Sequence, residues 1–201
     1  MPLRGRSNLD NEHFFFVTTS VVGHASLFVE DKYCDVLVHN IKYYQLQLGF
    51  AILGYVIMPS HFHWIVEVDP SKGTISDVMR DIKKYSAWDI LSLLKKESNS
   101  EFEPLFAAEA VPYRDQNKKV WMKRFHDEAI RNQEMFLSRL RYIHNNPVEA
   151  GLVVRPEDTR TRVREITYSE MISSCMLIPR WLRVFAKGGG EENLVRSRYG
   201  L

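Results

Sequence analysis

The apolar positions change period several times along the chain, and each change marks an element. Phe14 to Val22 is an apolar, β-branched run that predicts a first strand. Lys32 to Leu48 places Val36, Leu37, Ile41, Tyr44 and Leu48 at helical spacing, and Gly49 supplies a terminator. Phe50 to Met58 and His61 to Val68 are two strands joined by Pro59-Ser60, a connection short enough to make them antiparallel neighbours. Ser76 to Leu94 returns to the helical period, with Ile75, Val78, Met79, Ile82, Ile90, Leu93 and Leu94 facing inward. Residues 95–119 are charged and broken by Pro104 and Pro112, which predicts a long loop. Val120 to Ile130 reads as a last strand. Gln133 to Asn146 reads as a last helix, stopped by Pro147 and buried through Phe136, Leu137, Leu140 and Ile143, with Tyr142 at the border of that stripe. The order β-α-β-β-α-β-α predicts an α+β fold. It is a ferredoxin-like split βαβ antiparallel sheet with helices on one face and an added C-terminal helix.

Composition adds limits. The chain has 201 residues, 45% hydrophobic and 12% aromatic, enough to bury a core and too apolar for wholesale disorder. The net charge of +2 does not announce a nucleic-acid partner. Local clusters do more: Arg80/Lys83/Lys84, Lys118/Lys119/Lys123/Arg124 and Arg139/Arg141. Cys34 and Cys175 form neither a CxxC pair nor a finger spacing, so no zinc module or disulfide framework is expected, and Cys34 fits as a small core residue. The sequence shows no signal-type apolar segment and no long apolar run, so a cytoplasmic protein without membrane contact is expected.

Candidate chemistry lies in two separated stretches. In Tyr55-Val-Ile-Met-Pro-Ser-His-Phe-His-Trp-Ile-Val66, the alternation of a strand points His61 and His63 to one face, where two imidazoles can share one metal ion. In Tyr142-Ile-His-Asn-Asn-Pro147, a helix brings Tyr142 and Asn146 one turn apart on one face. A His pair, a metal and a tyrosine hydroxyl together suggest a tyrosine nucleophile attacking a metal-polarised phosphodiester. Taken singly, each piece has a plainer reading: an incidental His pair, a core-edge tyrosine, a helix terminator. What favours the chemical one is their joint occurrence in the order of the family that the wording resembles.

The wording of three stretches resembles the HUH single-strand nucleases, their transposase branch, and within it the REP-associated tyrosine transposases. The stretches are Val56-Ile-Met-Pro-Ser-His-Phe-His-Trp64, Trp121-Met-Lys-Arg-Phe-His-Asp-Glu-Ala-Ile-Arg131 and Tyr142-Ile-His-Asn-Asn-Pro-Val-Glu-Ala-Gly-Leu152. The resemblance implies the ferredoxin-like layout, with the His pair on a central strand and the tyrosine on the helix beside it. It implies Tyr142 as catalytic nucleophile, His61, His63 and Asn146 as metal ligands, and Mg²⁺ or Mn²⁺ as the ion, although imidazoles would also accept Zn²⁺ or Ni²⁺. It implies single-stranded or hairpin DNA as partner, cut and rejoined through a 5′-phosphotyrosine without a nucleotide cofactor. Lys83, Lys84, Lys119, Lys123, Arg124 and Arg139 are then the candidate phosphate contacts. Trp64, Trp88, Trp121 and Phe125 are candidate stacking groups, with at least half expected in the core. Tyr85 is a rival nucleophile, less favoured because only Tyr142 stands in a Tyr-Ile-x-x-Asn-Pro context. Monomer and homodimer are both left open. Two other functions remain: a hairpin-DNA-binding protein that has lost catalysis, and a metal-dependent hydrolase of small phosphate esters.

A catalytic domain over residues 1–153 and a tail over 154–201 are expected. After Pro156-Glu-Asp158 the resembled family continues with aspartate-tyrosine, a proline or tryptophan, then Ser-Ser and an aromatic. This chain instead reads Thr159-Arg-Thr-Arg-Val-Arg-Glu-Ile-Thr167. One coding of that stretch, with a single T placed in front, translates as Tyr-Pro-Tyr-Ser-Ser-Ala-Arg-Asp-Tyr. A one-base frameshift near the Thr159 codon is therefore expected, against the alternative of a divergent tail. Sequencing the locus checks it: codons unable to yield the motif in the neighbouring frame refute the frameshift.

Overall fold

Four strands carry the sequence's alternating apolar runs and pair as one antiparallel sheet in the order β2-β3-β1-β4. The computed structural model describes residues 9, 12–111 and 117–155. Its elements are β1 (Phe14–Ser20), α1 (Asp31–Leu48), β2 (Ala51–Met58), β3 (His61–Glu67), α2 (Ile75–Lys96), α3 (Glu103–Ala108), β4 (His126–Ala129) and α4 (Gln133–Glu149). That is the expected ferredoxin-like order, with β3 and β1 central. The tail expected from residue 154, and the frame change near Thr159, fall almost wholly outside the described residues.

The sheet has two apolar faces. Phe15, Val17, Tyr55, Ile57, Phe62, Trp64 and Val66 join Leu37 and Ile41 of α1 and Val78, Met79 and Ile82 of α2 in the larger core. Phe16, Val56, Met58 and Ile65 point the other way and meet Phe136 and Ile143 of α4. Thus α1 and α2 cover one face and α4 covers the opposite one. Local signals set the helix ends. Gly49 adopts φ +67 at the end of α1, a left-handed conformation that glycine enters at no steric cost. Thr74 and Asp77 form a reciprocal capping box at the start of α2, and the Asn132 side chain accepts from Met135 N–H at the start of α4.

Three expectations need correction. Residues 95–119 are not loop throughout, because Pro104 lies in the first turn of α3, where its missing N–H would be unpaired in any case. The last strand is shorter than Val120 to Ile130: Trp121 makes an isolated bridge with Val21, and pairing resumes only at His126. Between them the exposed Lys123 and Arg124 leave the ladder, and Lys83 Nζ donates to the carbonyls of Met122 and Lys123 at 2.7 and 3.2 Å. The last helix runs through Pro147 to Glu149. So near the end the proline forfeits one main-chain bond, its ring is buried, and the turn closes through Ala150 N–H to Asn146 O and Leu152 N–H to Pro147 O.

The approach of α4 to the sheet depends on Gly54. A register shift between Ile52 and Gly54 leaves Leu53 as an extra residue in β2, a bulge. A side-chain carbon at Gly54 would lie 3.2 Å from Leu140 Cδ1 and 4.0 Å from Ile143 Cδ1. Gly54→Val should push α4 outward and cost about 1–3 kcal/mol. Thermal melting beside Gly54→Ala checks this: valine should lower Tm more than alanine, and equal melting for wild type and valine would refute the tight contact.

Candidate active site

The pairing register decides which groups meet. Thr18, His63 and Val56 are opposite one another across β1, β3 and β2, and Ser20, His61 and Met58 form the adjoining row. Residues directly opposite in an antiparallel pair share a face. Both imidazoles therefore lie on the α4 side, with ring centroids 4.8 Å apart. The His63 ring stacks on Phe16 at 5.6 Å and 13°, and Tyr142 of α4 meets it edge-on at 5.1 Å. Tyr142 also packs edge-on against Phe16 at 5.7 Å, yet keeps 38% of its surface exposed, so a substrate can reach it. One turn later, Asn146 Nδ2 lies 3.5 Å from His63 Nε2. The other ring nitrogen of His63 is 2.7 Å from Thr18 Oγ1, and His61 Nδ1 is 3.2 Å from Ser60 Oγ. The sheet and α4 thus bring His61, His63, Tyr142 and Asn146 together.

Burial sets the charge state of the imidazoles. His63 is only 4% exposed, and desolvation, reinforced by the neighbouring His61, lowers its pKa to about 3. Desolvation also lowers that of His61, with His24 acting in the same direction. Both rings are therefore neutral near pH 7, the form in which imidazole donates a lone pair to a metal. Among the described residues no three His, Cys, Asp or Glu side chains cluster as a metal site. Beside His63 stands the Asn146 amide, whose oxygen and nitrogen exchange places by a half-turn about the side chain, so it can present an oxygen donor. Two neutral imidazoles and an amide form a donor set that fits a divalent ion left with positions for water or phosphate oxygens.

A family model described as Transposase IS200 like matches residues 13–146. The chain belongs to the IS200-like transposase family. It is 25% identical over 144 residues to the REP-associated tyrosine transposase of Escherichia coli (strain K12), covering 72% of each protein. A solved structure of a REP-associated tyrosine transposase bound to a REP hairpin superposes with a TM-score of 0.53 at 24% identity, over 73% of each chain, and supports the fold. The resemblance drawn from three short stretches of sequence therefore holds at the level of the family.

Within this transposase fold the candidate phosphate contacts scatter. Arg139 of α4 lies over Phe16, the ring that stacks on His63. Its guanidinium lies 5.2 Å from the centre of the Phe16 ring and pairs with Glu128 of β4. Lys83 and Lys84 are on α2, across the sheet from Tyr142. Lys83 ties down the 122–123 carbonyls, and Lys84 lies 4.9 and 4.8 Å from the rings of Tyr85 and Trp88. Lys119 is half-buried, with its N–H donating to Phe106 O, while Lys123 and Arg124 are exposed on the segment before β4. Of the three basic clusters, the one on α2 and the one on α4 thus lie on opposite faces of the sheet. Tyr85 stacks on Tyr44 at 5.2 Å on the far side, so the rival nucleophile does not reach the His pair. Trp64 and Trp121 are core residues, and Trp88 is 55% exposed. Cys34 is buried as expected. No helix among the described residues is long and apolar enough to cross a membrane.

Sequence reading missed Phe16 and Thr18. Their parity in Phe14-Phe-Phe-Val-Thr-Thr-Ser20 put them on one face, but nothing local fixed β1 against β3. A pH prediction follows from His63. Its folded pKa lies below the ordinary 6.5, so the unfolded chain binds a proton first as pH falls. Stability should therefore fall progressively from about pH 6.5 towards 3, by a few kcal/mol at most. Melting temperature against pH for wild type and His63→Gln checks this. The variant should lose part of the acid slope, and parallel curves would contradict the assignment.

Proposed function

We propose that the chain cuts and rejoins single-stranded DNA beside a hairpin, with Tyr142 as nucleophile. The observation that carries this reading is the Tyr142 ring 5.1 Å from that of His63, on the sheet face shared with His61 and close to Asn146. A tyrosine that only filled the core would not leave its ring partly open beside two neutral imidazoles. The similar solved transposase is bound to a REP hairpin, which favours a hairpin-bearing strand as the partner here.

In this reaction the Tyr142 oxygen attacks the scissile phosphorus. A phosphorus–tyrosyl oxygen bond forms, the bond to the 3′-oxygen breaks, and the 3′-end leaves as a hydroxyl. The DNA stays attached through its 5′-phosphate, and the reverse displacement by a 3′-hydroxyl rejoins it without outside energy. His61, His63 and Asn146 would hold Mg²⁺ or Mn²⁺, which supplies Lewis-acid neutralisation of charge on the phosphate when bound. A free phenol titrates at about 10, so its proton must pass to water or to the leaving oxygen as the bond forms. Arg139, over Phe16 and one turn before Tyr142, would exchange Glu128 for a phosphate of the strand.

The test is a labelled hairpin with single-stranded flanks, incubated with protein and Mg²⁺ and resolved under denaturing conditions. A covalent adduct is expected from wild type and from Tyr85→Phe. Tyr142→Phe should lower it by at least ~10³ while keeping ring packing and melting temperature. His61→Ala and His63→Ala should abolish cleavage and retain hairpin binding. Asn146→Ala should raise the ion concentration required, read beside its melting curve because it also touches the helix end. Adduct formation at wild-type yield by Tyr142→Phe overturns the mechanism. Hairpin retention without any wild-type adduct would point to a binding-only protein, and neither adduct nor retention to a phosphate-ester hydrolase.

A further inference from the structure

His63 is held on three sides by groups of different kinds. Phe16 lies parallel to its ring at 13°, Thr18 Oγ1 is 2.7 Å from Nδ1, and Asn146 Nδ2 is 3.5 Å from Nε2. Stacking fixes the plane of the ring but is indifferent to a half-turn within that plane, which would exchange Nδ1 for a carbon and turn Nε2 away from α4. A directed hydrogen bond removes this freedom. A neutral imidazole also carries one N–H and one lone pair, so the partner of one nitrogen decides what the other can do. Ligation through Nε2, the nitrogen that faces Asn146 and α4, calls for the lone pair there and the proton on Nδ1, aimed at Thr18 2.7 Å away.

We propose that Thr18 is a positioning residue for the site: its hydroxyl oxygen accepts from His63 Nδ1–H, which locks the ring and turns the Nε2 lone pair towards Asn146 and Tyr142. This rests on the reading of the site given above. The fold makes the contact by register, since Thr18 and His63 face each other across β1 and β3. Both strands are central, so the hydroxyl sits on one of the best-anchored stretches of backbone. The comparable contact of His61 is weaker in design, because Ser60 is its chain neighbour in the turn and lies at 3.2 Å. Outer partners of this kind orient a ligating imidazole and typically change metal affinity 10–100-fold when removed. The opposite polarity, a Thr18 O–H donating to Nδ1, would put a proton on Nε2 and leave it unable to ligate.

The experiment uses DNA-free, full-length protein. Imidazole ¹⁵N shifts of His63, measured above pH 7 without metal, should show a protonated Nδ1 and an unprotonated Nε2. Thr18→Val, which keeps the branched shape and removes the oxygen, should give a mixture of tautomers and weaken Mn²⁺ binding about 10–100-fold. Thr18→Ser should restore both, an outcome that loss of packing alone would not produce. Melting curves of both variants show whether the fold is kept, and the wild-type shifts decide the polarity even if Thr18→Val unfolds. An Nε2-protonated His63 in wild type, or Mn²⁺ binding by folded Thr18→Val at wild-type strength, overturns the proposal. Failure of the transposase reading looks different: wild type forms no DNA adduct while tautomer and Mn²⁺ affinity behave as expected.

Discussion

The register of β3 between β1 and β2 is the constraint on which the rest depends. Side chains alternate faces along a strand, so a slip of one residue would carry His61 and His63 to the α1/α2 side and bury Phe62 and Trp64 against α4. Two features hold the register. The Pro59-Ser60 turn pairs Met58 with His61, and its carbonyls accept from Phe28 N–H and Val21 N–H at 2.8 Å each, which bolts the turn to the segment after β1. The apolar residues of β3 also match two different cores, one on each face, so a slipped strand would lose both. The polar pair survives on a mainly apolar strand because Thr18, Ser60 and Asn146 meet its nitrogens.

The second requirement is that a helix lie close on that same face. Phe136 and Ile143 anchor α4 in the smaller core, and the absent side chain of Gly54 lets Leu140 settle near the sheet. Tyr142 follows from helical geometry once Ile143 is inward, since the next residue back falls on the flank of the helix rather than its outer side. The T-shaped contacts with Phe16 and His63 then steer its ring. The candidate site is thus assembled by ordinary packing carried to the edge of a core.

The element order, the face shared by His61 and His63, and the spacing of Tyr142 and Asn146 were legible in the sequence because each depends on one local period. Contacts between periods were not. Thr18 and Phe16 join the site through a register that pairs residues about 45 positions apart. The charge clusters show in the sequence, but the sheet that stands between Lys83 and Lys84 on α2 and Arg139 on α4 does not. Pro104 and Pro147 were read as breakers, yet one begins a helix and the other sits inside the last turn of one, since the cost of proline depends on its distance from a helix end.

The extra residue at Leu53 gives β2 two phases. Ile52 and Tyr55 share the α1/α2 face although three positions separate them, while Leu53 and Gly54 both look towards α4. Every inside–outside assignment before the bulge is inverted relative to those after it. Relatives that lack the bulge must therefore be aligned with a gap at this point, or their core and surface residues will be exchanged along half the strand. Loss of the extra residue, Leu53, would leave both halves of β2 in their present pairing, because Ile52 and Gly54 already face consecutive residues of β3. It would restore strict alternation along β2 while removing one apolar side chain from the core beneath α4.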